Sequence, residues 1–397
     1  MNKQKKGLVP ELRFPEFTRS PGWDTVYGNK AFEQVSNKDH NSDLPILAIT
    51  QEYGAIPREM IDYNVSVTEK SVQSYKVVDV GDFIISLRSF QGGIEYSEYK
   101  GLCSPAYVIL RNKKGIDKRF FKQYFKAKSF IRDLTKNLEG LRDGKMISYK
   151  QFSEVILPKP SPEEQQKVAD CLASIDELIT LHTQKLNALE DNKKSLMQQL
   201  FHTDGENVPK LRFPEFRGKG DWVDTVLANL CEMQAGKFVK ASEICELRRE
   251  GLYPCYGGNG LRGFTKTYTH DGTYSLIGRQ GALCGNVTIV GNKFHATEHA
   301  VVVTPKEGVT TDWLYFMLIY LELNRYATGQ AQPGLSVENL NKVELKFTSL
   351  EDEQRKIASL LSTIQELIDN QILKIEQLRA YKKGLMQKLF PAMNEIN

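Results

Sequence analysis

Two glycine-rich loops carry the residue types best suited to recognition chemistry. Phe83-Ile-Ile-Ser-Leu87 runs into Arg88-Ser-Phe-Gln91-Gly-Gly93, and Tyr274-Ser-Leu-Ile-Gly278 runs into Arg279-Gln280-Gly-Ala-Leu-Cys-Gly285. Arginine and glutamine grip guanine and adenine edges bidentately, and glycines let a backbone approach a duplex closely. An ordinary strand-to-strand turn with a salt-bridged arginine has the same composition. The duplication weighs for recognition, because two similar readers suit two patches on one long ligand.

Catalytic motifs are weaker. Gly258-Asn-Gly260-Leu-Arg-Gly263 fits GxGxxG, but a dinucleotide site needs a helix directly after the glycines, and Phe264-Thr-Lys-Thr-Tyr268 is strand or turn material. His295-Ala-Thr-Glu298-His299 fits HxxEH, yet its flanks are β-branched runs, whereas a zinc site needs both histidines on one helical face with a third ligand. GxxxxGK[ST] is absent, as are Asn-Pro-Pro-aromatic and Asp-Pro-Pro-Tyr, so neither a P-loop nor an amino-methyltransferase site is expected. Catalysis has no visible home, and no metal or cofactor is expected on this chain.

One charge signal is local. A helix expected over Lys118 to Lys136 carries Lys118, Arg119, Lys122, Lys126, Lys128, Arg132 and Lys136 against Asp133 alone, with Phe120, Phe121, Tyr124, Phe125 and Ile131 as its apolar face. It reads either as a solvated face or as a set of phosphate contacts.

The elements that must position these residues follow from the rest of the chain. Its 397 residues, 41% hydrophobic and 26% charged, suffice for two globular domains, and a net charge of +4 is too mild to argue for nucleic acid alone. Apolar windows such as Trp313 to Leu323 are too short to span a bilayer and the start is polar, so a cytoplasmic protein is expected. Six scattered cysteines without a CxxC pair are expected to be reduced and buried.

Two stretches, Pro162 to Phe201 and Glu351 to Phe390, repeat each other as coiled-coil heptads. The first seam is Val168, Leu172, Ile175, Ile179, His182, Leu186, Leu189, Lys193, Leu196 and Leu200. The second is Ile357, Leu361, Ile364, Ile368, Gln371, Ile375, Leu378, Lys382, Leu385 and Leu389, so the polar interruptions also match. Such polar seam residues fix register, which predicts that the copies pack on each other. Ser161 and Ser349 are the candidate N-caps, with acids in the first turn and paired lysines near the end. About 40 residues at about 1.5 Å each make a rod of roughly 60 Å, suited to a spacer.

Val9-Pro-Glu-Leu-Arg-Phe-Pro-Glu-Phe17 is repeated as Val208-Pro-Lys-Leu-Arg-Phe-Pro-Glu-Phe216, so the chain is a tandem of two long units. In the first, strands are expected at Leu44–Thr50, Phe83–Leu87 and Ala106–Arg111, then the basic helix and a loop with Gly140 and Gly144. In the second they are expected at Tyr274–Ile277, Asn286–Val290 and Ala300–Thr304, then a helix from Asp312 to Tyr326 and a loop with Gly329 and Gly334. Strands Val155 to Pro158 and Val343 to Lys346 lead into the rods.

Taken together, the chain resembles the specificity subunit of a type I restriction-modification system. The resemblance rests on the LRFPEF segments, Tyr253-Pro-Cys-Tyr-Gly-Gly-Asn-Gly-Leu-Arg-Gly-Phe264, Ile277-Gly-Arg-Gln-Gly-Ala282, Phe294-His-Ala-Thr-Glu-His299, Gly334-Leu-Ser336, and the EQxKxA starts at Glu164 and Glu353. Unit one departs from it, with Arg88-Ser-Phe-Gln-Gly where unit two has Gly-Arg-Gln-Gly-Ala. The resemblance implies an α/β (α+β) fold of two similar target-recognition domains, over 1–160 and 204–348, joined by helices over 161–203 and 349–397 in an antiparallel coiled coil with pseudo-two-fold tandem symmetry. It implies a non-catalytic DNA-binding subunit that reads an asymmetric bipartite site and docks two methyltransferase subunits, with translocase-nuclease subunits as further partners. S-adenosylmethionine, ATP and Mg2+ would then belong to those partners. Candidate DNA contacts are Arg88, Gln91, Lys122, Lys126, Asn259, Arg262, Arg279, Gln280 and His295. The rival reading is a coiled-coil scaffold whose two modules bind protein.

Overall fold

The computed structural model describes residues 7–41, 43–61, 69–136, 147–201, 205, 207–281, 283–329 and 333–392. Gly140, Gly144 and Ala282, named above, lie outside them. The chain forms two compact units, one of Met1–His182 with Lys374–Asn397 and one of Thr183–Leu373. Each unit therefore contains half of each long helix.

Those helices run over Pro162–Phe201 and Glu351–Leu389. All twenty seam positions are buried or half-buried, and Leu172 and Leu361 are wholly so. Within unit 1 the first helix meets the second antiparallel, because Val168 and Leu172 share a core with Leu389 and Phe390 while Asp176 accepts two hydrogen bonds from Lys382 Nζ at 2.6 and 2.8 Å. Unit 2 repeats the arrangement: Leu200 shares a core with Ile357 and Leu361, and Lys193 Nζ donates to Gln365 Oε1 at 2.5 Å. The seam lysines thus reach the same place on the facing helix, a carboxylate in one unit and an amide in the other. Ser161 caps the first helix through Glu164 N (3.3 Å), as expected. At the second helix the hydroxyl comes from Thr348 rather than Ser349, because Thr348 Oγ1 accepts from Leu350 N (3.3 Å) and donates to Glu353 Oε2 (2.9 Å).

The repeated motifs close on each other. Arg13 of the first LRFPEF segment donates to both oxygens of Glu164 at 2.7 Å, and Arg212 of the second donates to both oxygens of Glu353 at 2.7 and 2.9 Å. These pairs are bidentate and largely shielded from water, the geometry that the arginine fork matches better than lysine does. Lys167 pairs with Glu16 at 3.0 Å and sits over the Phe14 ring, and Lys356 does the same with Glu215 and Phe213. Gln165 and Gln354 next accept from the backbone of Asp117 and Thr310, at 2.9 and 2.8 Å, and so hold the start of each unit's main helix. Leu12 N binds Lys388 O (3.0 Å) and Leu211 N binds Gln199 O (2.9 Å), satisfying carbonyls in the last turn of each rod.

The sheets of the two units match in order. Unit 1 has an antiparallel sheet ordered Phe32–Val35, Val108–Asn112, Phe83–Ile85, Glu95–Tyr96, and unit 2 has Cys231–Ala235, Ala300–Pro305, Tyr274–Gly278, Val287–Val290. Strand Asp24–Tyr27 pairs with Ile156–Lys159, and Val223–Val226 with Glu344–Phe347. Beyond this frame the units differ. Unit 2 adds a four-stranded sheet ordered Gly260–Thr265, Tyr253–Gly257, Lys293–Ala296, His270–Asp271, where unit 1 has two hairpin-sized pairs.

Aromatic rings fill the core of unit 1, where Phe32 packs against Phe83, Phe121, Phe125 and Phe152 with centroids 5.2 to 5.9 Å apart. Trp313 plays this part in unit 2, 6.1 Å from Phe201 and 6.2 Å from Trp222. Two helices depart from the sequence reading. The basic stretch forms two helices, Lys118–Tyr124 and Lys128–Lys136, because the chain tightens after Tyr124: Lys126 N and Ala127 N bond three residues back. The helix of unit 2 spans Thr311–Tyr320, since Glu322 turns left-handed (φ 47°) and a 3-10 turn follows over Leu323–Tyr326. All six cysteines are free: Cys103, Cys231, Cys255 and Cys284 are buried, while Cys171 and Cys245 are half-buried against the expectation. Burial pushes the Cys103 and Cys231 thiols up to about 12.

Candidate nucleic-acid interface

In unit 2 the strand Tyr274–Gly278 is buried along most of its length and delivers Arg279 and Gln280 at its end. Arg279 N donates to His299 O (3.0 Å), Leu335 N donates to Arg279 O (2.9 Å), and Arg279 Nε donates to Leu335 O (3.2 Å). The backbone and the inner edge of the guanidinium are thereby fixed. Its two terminal nitrogens have no partner among the described residues, and Gln280 is exposed.

The GxGxxG run is a β-hairpin, as its strand-like flank predicts, with Gly257 paired to Gly260 and φ 87° at Gly260. Its tip lies on the arginine loop. A Cβ on Gly278 would come within 2.2 Å of Gly258 O, and one on Gly258 would meet His299 O at 3.1 Å and Gln280 O at 3.4 Å. Asn259 and Arg262 are exposed, the latter with its Cδ folded across Gly257. Four of the expected residues, Asn259, Arg262, Arg279 and Gln280, are therefore gathered on neighbouring loops around the turn 296–300.

His295 is not among them, which corrects its place as a DNA contact. It points inward from strand Lys293–Ala296, is 5% exposed, and both ring nitrogens are engaged, Nδ1 with Thr267 Oγ1 (3.0 Å) and Nε2 with Lys237 O (3.1 Å). A carbonyl partner requires Nε2–H, so Nδ1 is the acceptor. Glu298 and His299 sit on the turn, 3.2 Å from each other. Among the described residues no group of three metal-ligating side chains occurs, and no helix is long and apolar enough to cross a membrane.

Unit 1 places Arg88 after the equivalent strand, Phe83–Ile85, but the expected glycine loop forms one helical turn over Ser89–Gly92. Ser89 Oγ accepts from Ser86 N (2.9 Å), and Gln51 Nε2 donates to Arg88 O (3.3 Å). Gly93 ends the turn at φ 82°, where a Cβ would be 2.0 Å from Phe125 O. The Arg88 and Gln91 side chains are exposed and unpaired among the described residues.

Lys122 and Lys126, expected as phosphate contacts, both make ion pairs within unit 1. Lys126 Nζ donates to Glu95 Oε2 (2.6 Å) and Gly92 O (3.1 Å), and Lys122 Nζ to Glu98 Oε1 (2.6 Å), lying 5.1 Å from the centre of the Tyr96 ring. Lys126 thus holds the loop that presents Arg88. The Glu95 side chain is 2% exposed, and desolvation raises its pKa against the pull of Lys126. Lys126→Ala should therefore destabilise unit 1 by about 1–3 kcal/mol near neutral pH. A raised acid is a stability term present below its unfolded pKa and lost as pH rises. Without the lysine the buried carboxylate is harder to ionise, so the deficit should shrink toward pH 4 as Glu95 takes up its proton. Urea unfolding at pH 8 and pH 4.5 measures this, and equal deficits at both would sink the account.

Each unit also has a groove beside its rods. That of unit 1, about 980 Å³, is lined by Lys128, Arg132, Asp176, Ile179, Arg379, Lys382, Lys383, Met386 and Gln387, among others. That of unit 2, about 720 Å³, has Lys193, Lys194, Met197, Gln198, Gln365 and Ile368 at the matching places, with Glu190 where unit 1 has Arg379.

The model of the type I restriction modification DNA specificity domain matches residues 25–191 and again 219–378. The chain belongs to this family. An E. coli relative, the type I restriction enzyme EcoprrI specificity subunit, is 35% identical over 234 residues, 58% of this chain and 57% of that one. The MjaVIII specificity subunit of Methanocaldococcus jannaschii is 25% identical over 369 residues, covering 82% and 81%. The fold is that of a solved type I restriction-modification S subunit from M. genitalium, with TM-score 0.64 at 16% identity over 97% of this chain and 100% of that one. A chain from a structural study of type I complex assembly and conformational transition matches with TM-score 0.56 at 17% identity, over 94% and 98%. The HxxEH and GxGxxG runs both fall inside the second match, 219–378.

Proposed function

We propose that this chain is the non-catalytic specificity subunit of a cytoplasmic type I restriction-modification complex, and that each unit reads one half of a bipartite, asymmetric double-stranded DNA site. The observation that carries this is positional. Arg88 and Arg279 follow the same strand of equivalent sheets, each on a loop braced by hydrogen bonds and each with guanidinium nitrogens unclaimed among the described residues. Bracing of that kind lowers the entropy lost when a side chain commits to a base edge. The long helices and LRFPEF segments dock two methyltransferase subunits, and the two matched grooves beside the rods supply equivalent surfaces for them. S-adenosylmethionine stays with those partners, and ATP and Mg2+ with translocase-nuclease subunits.

Arg88→Ala and Arg279→Ala should be separable in effect. Each should relax discrimination in one half-site only, by about 1–3 kcal/mol where a bidentate guanine contact is lost. Phosphate contacts would instead weaken all sequences alike and lower the salt slope by about one. Duplexes randomised in one half-site at a time, selected against each variant, decide between these. If Arg279→Ala alters both halves equally, or neither, its loop is not the reader.

A further inference from the structure

Phe238 is 70% exposed, against 37% for Phe90, the next most exposed phenylalanine described. Its backbone is nevertheless held firmly. Gly236 N donates to Ala300 O (2.9 Å), Lys237 N to Ala296 O (2.8 Å), and the buried His295 ring to Lys237 O (3.1 Å). A Cβ on Gly236 would lie 2.2 Å from Ala296 O and 2.4 Å from Thr297 O, so the segment needs glycine to press this closely on the turn. Val239 is buried on the other side of Phe238. The same turn, 296–300, anchors Arg279 through His299 O. Phe238 and the reading arginine are thus fixed to one five-residue piece of backbone.

The ring has no aromatic contact among the described residues, and the lysines around it, Lys237 and Lys240, are exposed without an ion pair among them. A large apolar group standing in water between two free cations, beside loops that read a duplex, has one physical use that absorbs all three features. Lysines engage phosphates by releasing counterions, and an apolar side chain aimed between them meets the base stack. We propose that Phe238 is a wedge that enters a base step of the half-site bound by unit 2, with Lys237 and Lys240 on the flanking phosphates; this rests on the DNA-reading function proposed above. His295 then earns its burial as the positioning residue that fixes the Lys237 carbonyl. Counted from the start of the equivalent strand, the matching position in unit 1 is the exposed Asp39, so the wedge belongs to one half-site alone.

The test uses the full chain and a pool of duplexes selected from a randomised library by the unaltered protein. Phe238→Ala should weaken binding to the pool by about tenfold, the worth of one stacked aromatic, while leaving the salt slope unchanged. Phe238→Trp should bind as the unaltered chain does. Thymines in one half of the selected sites should become reactive to permanganate when the unaltered chain binds, and lose that reactivity with Phe238→Ala. An alanine variant that binds equally well, or that gives the same permanganate pattern, overturns the wedge and leaves the DNA reading intact. If the unaltered chain selects no sequence, the reading and the wedge fall together. Thermal melting of the variants separates either outcome from misfolding, since an exposed ring contributes little to the core.

Discussion

Replacing Arg212 with alanine should cost unit 2 about 3–5 kcal/mol, the penalty for stranding a buried charge. The Glu353 carboxylate is 1% exposed, and among the described residues Arg212 supplies both nitrogens that face it, with the Thr348 hydroxyl as its one other side-chain donor. Arg212→Lys keeps a charge but not the fork, and should recover part of the loss. A double variant, Arg212→Met with Glu353→Leu, removes both charges and should sit closer to the unaltered chain than Arg212→Ala does. Guanidinium unfolding followed by tryptophan fluorescence measures each, because Trp222 and Trp313 are buried in unit 2. A loss below about 1 kcal/mol for Arg212→Ala would mean that water, not burial, surrounds this pair.

The second large effect concerns the rods under the proposed function. Adding one heptad to both long helices lengthens each by about 10 Å, on the order of three base pairs at about 3.4 Å, and keeps the apolar seam in phase. The methylated motif of a cell carrying the altered chain with its methylase should keep both half-sequences and change the gap between them, or methylation should be lost. Methylome sequencing reads this directly. The same motif at the same gap would refute the helices as the ruler.

The coil was legible because it is local: heptad spacing picked out twenty seam residues, all of which the structure buries or half-buries, Lys193 and Lys382 among the latter. The tandem frame was legible for a similar reason, since duplication is visible without any contact. What the sequence hid were pairings across long stretches of chain. Arg13 and Glu164 stand in two recognisable motifs, but nothing in residues 151 positions apart says that they form one buried ion pair. Lys126 looked like a phosphate contact on a basic stripe because its partner Glu95 lies on a strand 31 residues earlier. Helix periodicity ran on through Phe125 and Ala127, so the break there could not be seen from apolar spacing. His295 was misplaced because a histidine next to glycine loops resembles a ligand-facing group, and only tertiary burial decides otherwise.

The first unit is made of two stretches separated in sequence, Met1–His182 and Lys374–Asn397. Its core contains Trp23 and Phe120 together with Leu389 and Phe390, and the Phe390 ring lies 5.5 Å from both Phe120 and Tyr124. Unit 2, by contrast, is one uninterrupted run, Thr183–Leu373. A ribosome emits that run whole before it emits Phe390. At about 5–20 residues per second, the aromatic cluster of unit 1 waits roughly 14 to 54 seconds between the exit of Phe120 and the arrival of Phe390. Unit 1 therefore cannot complete its core until all of unit 2 has been made, and until then the faces that Leu389 and Phe390 cover stay open.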